Sequence, residues 1–360
     1  MLKSSISLAI VFAGAFLNPN VTADESNIIV PITHSQIQVM GRTLQKNDSI
    51  QLGYPGVTVQ FITDAKSVSL NASSNTSTST VDVFVDDKFL KTITLPTFND
   101  SIQIFAQPTN TPKHVTLVNR SESWNGVPTF NGLILEQGGL MQPKPLPQKK
   151  LMIIGDSITC GAMIDRAHIC EKSPELTNPY QSYGMKLARM LNTQVHLVCF
   201  SGRGLTRSWD GKEGEQQAPN FINFTIPTME QSAVWDHSKY IPDVILIALG
   251  TNDFNLGIPN QQHFVSTYLD FIKTLISHYP NAKFSVTASA MVNDFNINEQ
   301  KRSTLESYLR QVKQQASIYR PITIAPSSYQ PGDNCDPHPI ASQHTIMADE
   351  LMDSISKLLL

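Results

Sequence analysis

Lys149-Lys150-Leu151-Met152-Ile153-Ile154-Gly155-Asp156-Ser157-Ile158-Thr159-Cys160-Gly161 is the stretch on which the reading of this chain turns. Its apolar run predicts a short buried strand. Gly155-Asp156 breaks the run, and a serine stands where the chain should turn into a helix. In an open α/β sheet, chemistry gathers at the carboxyl ends of the strands. Backbone N–H groups left unpaired at a starting helix also suit a developing oxyanion. Taken alone, Gly-Asp-Ser fits an ordinary turn or helix cap equally well. Two later segments, Gly250-Thr251-Asn252-Asp253 and Asp336-Pro337-His338, make the catalytic reading the stronger one.

Downstream of this stretch, strands alternate with helices. Apolar runs at Leu151–Ile154, Val195–Cys199, Val244–Leu249, Phe284–Ala288 and Ile322–Ile324 read as parallel strands buried on both faces. Asn178-Pro179 starts a helix that continues through Tyr183, Leu187 and Leu191 at four-residue spacing. Others are predicted near 261–279 and 298–317, and a last one carries Met347, Leu351, Ile355 and Leu358 on one face. Five such strands between helices predict a doubly wound, flavodoxin-like α/β domain over residues 149–360.

Upstream, from 24 to 140, the hydrophobic period is two. Ile50–Leu52, Val57–Phe61, Val68–Leu70, Val81–Val85, Val115–Leu117 and Leu133–Leu135 read as short strands separated by turn residues, which predicts an all-β jelly-roll sandwich. The Ser/Thr-rich segment from Asn71 to Thr80 reads as a loop. Residues 141–148, with alternating prolines at Pro143, Pro145 and Pro147, read as an extended linker. At the N-terminus, Lys3, the apolar run Leu8–Leu17 and the small residues Val21-Thr22-Ala23 predict a signal peptide over 1–23, hence a secreted or periplasmic protein. The run is short for a transmembrane helix, so no integral membrane association is expected.

With 360 residues there is room for two domains, and 41% hydrophobic against 16% charged residues describes a globular chain. A net charge of −3 without a sustained basic run gives no reason to expect nucleic acid as a partner. Cys160, Cys170, Cys199 and Cys335 would meet an oxidising compartment, where four cysteines allow three pairings. Cys160 follows the candidate nucleophile and Cys335 precedes the candidate base, so those two sulfurs are candidates to bridge. Cys199, in an apolar strand, reads as a buried free thiol. Asn-x-Ser/Thr sequons stand at Asn47, Asn71, Asn75, Asn99, Asn119 and Asn223.

A serine hydroxyl is a weak nucleophile and needs a positioned base. His338, between Pro337 and Pro339 on a loop before the last helix, is the candidate, with His344 the nearby rival. Asp336, two residues earlier, would fix the imidazole tautomer and stabilise the imidazolium. Ser201-Gly202-Arg203-Gly204 after the second strand offers a backbone N–H at Gly202, and Asn252 an amide, so Ser157 N–H, Gly202 N–H and Asn252 form a candidate oxyanion hole. The bland alternative makes Gly202 and Gly204 a tight turn. Asp253 would brace its loop. Asp333–His338 mixes oxygen, sulfur and nitrogen ligands, yet no second cluster has zinc spacing, so no metal is assigned.

These blocks together resemble the SGNH (GDSL-type) hydrolases, with Gly155-Asp156-Ser157, Gly202, Asn252 and His338 standing for the four markers. The whole mature chain is most similar to carbohydrate esterase family 2, as Gly41-Arg42, Arg120-Ser121-Glu122, Ser201-Gly202-Arg203-Gly204 and Cys335-Asp336-Pro337-His338-Pro339 illustrate. The resemblance implies a cofactor-independent esterase removing acetyl groups from sugar hydroxyls, with acetylated carbohydrate as its partner. Ser157 would attack and His338 would shuttle the proton. Two departures stand out. Most SGNH enzymes place the triad aspartate three residues before the histidine, where this chain has Cys335; Asp336 matches the spacing of some family members, while others use a Ser–His dyad. Pro337 occupies a position where an aromatic residue is expected, so Trp209 is the candidate sugar-binding surface, a core tryptophan being the alternative. The rival functions are a lipase or phospholipase on the same scaffold, and a non-catalytic carbohydrate-binding protein.

Overall fold

The computed structural model describes residues 27–214 and 216–360, with the side chains of 230–232 set aside. The predicted signal peptide lies outside the described residues.

Residues 28–141 form two six-stranded antiparallel sheets whose inward faces share one core that includes Leu52, Phe61, Leu70, Val83, Leu117 and Leu135. All six predicted strands are present. Five more were not visible in the sequence: Ile28–Pro31, Gln38–Met40, Thr43–Lys46, Lys88–Thr94 and Asp100–Ala106. Most of their side chains remain partly or fully exposed, so polar residues interrupt the alternation that a half-buried strand would show. The Asn71–Thr80 segment corrects the loop expectation in part. The strand Ser67–Ser74 runs into it, and the turn beyond is closed by Ser74 Oγ–Ser79 Oγ at 2.6 Å and by Thr76 Oγ1 donating to Asn125 O at 2.8 Å. Hydroxyl side chains pair with one another there and so replace apolar contacts. Leu140–Met141 adds a short strand against Ile62–Thr63, and Gln194 Nε2 ties down Pro147 O at 2.7 Å.

The second half is a five-stranded parallel sheet. Its strands are β1 (Lys150–Gly155), β2 (Gln194–Cys199), β3 (Val244–Ala248), β4 (Lys283–Thr287) and β5 (Ile322–Ala325), in spatial order 2-1-3-4-5. This is the flavodoxin-like order, and its switch point lies beside β1. Gly155 pairs with Cys199 on one side and Ala248 on the other, so the loops after β1, β2 and β3 leave the sheet side by side. The helices are α1 (Ser157–Cys160), α2 (Tyr183–Leu191), α3 (Ala218–Phe221), α4 (Thr251–Asn255), α5 (Gln261–His278), α6 (Lys301–Ala316) and α7 (Ala341–Leu359). Asn178-Pro179 opens a single 3₁₀ turn rather than α2 itself, with the Asn178 side chain accepting from Gln181 N–H. α7 leaves the far edge of the sheet and packs back on α2 beside β1. Tyr183 N–H donates to His344 Nδ1 at 3.1 Å and Lys186 Nζ to Ala341 O at 3.1 Å, which fixes the start of α7 near Ser157.

The cysteine expectations are corrected. Cys160 pairs with Cys199, and Cys170 with Cys335. β1 and β2 are neighbours, so α1 lies over the end of β2 and Cys160 meets Cys199 there. The buried residue Cys199 is therefore no free thiol. Cys335 faces outward to the excursion between α1 and α2, away from Cys160.

Candidate active site

Ser157 is the first residue of α1, a single turn. Asp156 caps it, accepting from Ile158 N–H at 3.0 Å, and Gly161 ends it in the left-handed region at φ 80°. Gly155 makes the turn possible: a Cβ there would come within 2.0 Å of Thr159 Oγ1. Thr159 Oγ1 in turn hydrogen-bonds Tyr183 OH at 2.7 Å. The serine is thereby held at the sheet edge, 8% exposed.

His338 reaches Ser157 from the loop before α7. Its Nε2 lies 2.8 Å from Ser157 Oγ, and its Nδ1 lies 2.5 Å from Asp336 Oδ1. The same oxygen accepts from His338 N–H at 2.8 Å. Burial works to raise the Asp336 carboxyl. The hydrogen bonds from the ring and backbone of His338, aided by the charges of His338 and Lys172, outweigh burial and hold it below the usual carboxylate range. Lys172 Nζ stands 3.3 Å from Asp336 Oδ2. His344 does not join the site: it is fully buried, with Tyr183 N–H on its Nδ1.

Opposite His338 lies the turn Phe200–Arg203, closed by Arg203 N–H on Phe200 O at 3.3 Å, with Gly202 at φ 78°. Only a residue tolerating that φ fits, and a Cβ on Gly202 would also press to 2.8 Å from Trp209 Cδ1. Asn252, buried at the start of α4, donates one amide proton to Arg203 O at 2.8 Å and retains a second for a ligand. Asp253 braces the segment as anticipated, its carboxylate accepting from Leu205 N–H, Thr206 N–H, Thr206 Oγ1 and Arg207 N–H. Trp209 is 59% exposed, so the core alternative does not hold.

Two charged residues at the site were not assigned a role from the sequence. Glu122, from the sandwich, accepts from Ser201 N–H at 2.8 Å and Ser201 Oγ at 2.5 Å. Its burial pushes the carboxyl up, against the lowering effect of those bonds. Arg166, with no exposed surface, donates to Asp333 Oδ2 at 2.9 Å, Met163 O at 2.8 Å, Asp336 O at 3.2 Å and His338 O at 2.8 Å. The Arg120-Ser121-Glu122 motif carried a signal for the first, and nothing local marked the second.

Comparison with known proteins places this architecture. Residues 39–145 match the carbohydrate esterase 2 N-terminal family, and residues 153–342 the GDSL-like lipase/acylhydrolase family. An acetylxylan esterase/glucomannan deacetylase of Cellvibrio japonicus is 38% identical over 324 residues, covering 90% of this chain and 89% of that protein. The chain belongs to carbohydrate esterase family 2. A family two carbohydrate esterase structure from Cellvibrio japonicus superposes with a TM-score of 0.88 at 36% identity, covering 93% of this chain and 98% of that one. A second, from Clostridium thermocellum in complex with cellohexaose, gives a TM-score of 0.81 at 26% identity, covering 90% and 99%. The family 2 chain described here is accordingly a carboxylic-ester hydrolase with the two-part build of that family. Among the described residues no helix is long and apolar enough to cross a membrane.

Proposed function

We propose that this family 2 enzyme is a secreted serine esterase that removes O-acetyl groups from carbohydrate. The observation that carries the reading is the unbroken chain from Ser157 Oγ through His338 to Asp336, at 2.8 Å and 2.5 Å. Ser157 Oγ attacks the acetyl carbonyl carbon as its proton passes to His338 Nε2. Asp336 keeps Nδ1 protonated and offsets the imidazolium charge. Ser157 N–H, Gly202 N–H and the second Asn252 amide proton receive the oxyanion, each donor contributing about 10²–10³ in rate. Collapse of the tetrahedral intermediate expels the sugar oxygen, which takes the proton from His338 and leaves an acetyl-serine. Water, deprotonated by the same imidazole, then releases acetate.

The named activity of the 38%-identical relative supports acetylated xylan or glucomannan as the substrate class. The exposed ring of Trp209, beside Gly202, supplies a face for a sugar ring next to the ester. Two disulfides suit an oxidising compartment and agree with the predicted leader.

The test compares acetate release from acetylated xylan with hydrolysis of long-chain acyl esters, for the wild type and Ser157→Ala. Acetate release by the wild type that the substitution abolishes is the expected result. Preference for long acyl chains would turn the reading toward a lipase. Sugar binding without turnover would turn it toward a carbohydrate-binding protein.

A further inference from the structure

We infer that Glu122, a residue of the β-sandwich, is a positioning residue for the oxyanion hole of the hydrolase domain, acting through Ser201 on the Gly202 N–H. The inference rests on the esterase reading above and deepens it.

The direction of the Gly202 N–H is fixed by the peptide plane joining Ser201 to Gly202, and so by the backbone angles of Ser201. The turn holding that peptide is weakly closed on its own, by a single bond of 3.3 Å from Arg203 N–H to Phe200 O. Other groups hold it from outside. Asn252 Nδ2 takes Arg203 O at 2.8 Å, and Trp209 N–H donates to Gly202 O at 2.9 Å. On the remaining side the two carboxylate oxygens of Glu122 take the two donors of Ser201, its N–H and its hydroxyl. Gripping both donors of one residue fixes its backbone and its rotamer together, which a single bond cannot do.

Glu122 can act in this way because its own backbone is anchored within the sandwich rather than to the hydrolase loop. Asn125 N–H and Gly126 N–H both donate to Glu122 O, at 2.9 and 3.1 Å. Two residues earlier, buried Arg120 spans the junction between the halves. It bonds to Asp82 Oδ1 at 3.0 Å within the sandwich and to Asp165 Oδ2 at 2.7 Å and Thr177 O at 2.8 Å across it. The sandwich thus places an anchored carboxylate against the turn whose peptide orientation aims the Gly202 N–H at an oxyanion.

Shape and charge can be separated by two substitutions. Glu122→Gln keeps the reach: its carbonyl accepts from Ser201 N–H and its amide donates to Ser201 Oγ. Glu122→Asp keeps the charge but withdraws both oxygens by one methylene. In the full-length protein, with 4-nitrophenyl acetate and acetylated xylan as substrates, Glu122→Gln is expected to stay within about threefold of wild-type kcat. Glu122→Asp is expected to lose about ten- to a hundredfold in kcat, part of the effect of removing one donor. KM should change less than threefold in both, and thermal unfolding confirms that both are folded. Wild-type kcat in Glu122→Asp, a loss in Glu122→Gln as large as in Glu122→Asp, or a loss confined to KM would each overturn the inference. Failure of the esterase reading looks different: the wild type itself would prefer long acyl chains or bind the sugar without releasing acetate, whatever position 122 holds.

Discussion

The Ser157 turn is held by its own neighbourhood: a glycine, a capping aspartate and the strand beside it. The Asp333–His338 loop is turned by its own Asp333 carboxylate, which accepts from Cys335 N–H and Asp336 N–H, but it is held in place by residues distant in the chain. Arg166 grips the carbonyls of Asp336 and His338 from within, and Cys170 pins Cys335 from outside. Each half of the site also carries one disulfide, with different work to do. Cys160–Cys199 joins segments that the sheet already holds side by side, whereas Cys170–Cys335 joins two loops that share no strand pairing. A nucleophile can be positioned by a local motif. A base on a loop outside the sheet needs a scaffold of its own.

The comparison breaks most directly at the loop's functional group. Asp336→Asn leaves the size of the side chain and can still accept a hydrogen bond, but it can no longer stabilise imidazolium. We expect kcat to fall by about 10²–10⁴ with little change in the unfolding temperature. A loss below about tenfold would mean that the serine and histidine work as a dyad, with Asp336 serving only to shape the loop.

Arg166→Met tests the internal scaffold. It removes a buried cation, leaves His338 O without its donor, and takes one of their partners from Asp336 O and the Asp333 carboxylate, which keep the bonds made within the loop. We expect about a hundredfold loss of kcat together with a destabilisation of roughly 1–3 kcal/mol, the cost of a buried carbonyl left without its donor. Full activity in a protein that only melts earlier would show that the loop keeps its shape unaided.

The disulfides sharpen the contrast in a single experiment. The double variant Cys170→Ser/Cys335→Ser should lose about tenfold in kcat, because it frees the loop that carries Asp336 and the segment that carries Lys172. Cys160→Ala/Cys199→Ala should keep kcat within about twofold, its effect appearing as lost stability of about 2–4 kcal/mol. Equal effects on kcat would erase the distinction between the two halves.

The same contrast explains what the sequence could be made to tell. The parallel sheet was legible because its strands are buried on both faces and read as unbroken apolar runs, as in Leu151–Ile154 and Val244–Leu249. The edge strands Lys88–Thr94 and Asp100–Ala106 were not, because partial exposure replaces their apolar residues with lysine, threonine, serine and glutamine. Ser157 and His338 stood out through motifs a few residues long. Nothing local marked Arg166, and the motif Arg120-Ser121-Glu122 marked Glu122 without giving its role, since the partners of both lie far away in sequence and neither composition nor spacing records a contact of that kind. The disulfides escaped for the same reason. Cys160 and Cys199 are neighbours only through the register of β1 on β2.

The smallest effect concerns the start of α7, from which the histidine loop hangs. Burial pushes the His344 imidazole down to about 3, with the nearby charges of Lys186, His338 and Arg166 acting in the same direction. In the unfolded chain the ring titrates near its ordinary value of about 6.5. Between those two values the unfolded state binds the proton and the folded state does not, so stability falls as the pH is lowered. From pH 7 to pH 5.5 this one ring should cost about 1 kcal/mol. His344→Asn can still accept from Tyr183 N–H through its side-chain oxygen, yet it has no proton to take up. Its acid loss of stability, measured by urea unfolding at the two pH values, should therefore be smaller than that of the wild type by about that amount. His196, also buried and held neutral, contributes a slope of the same sign in both proteins and cancels in the difference. Identical slopes would mean that His344 takes up its proton without leaving its place, and that the anchorage of the histidine loop does not depend on a neutral ring.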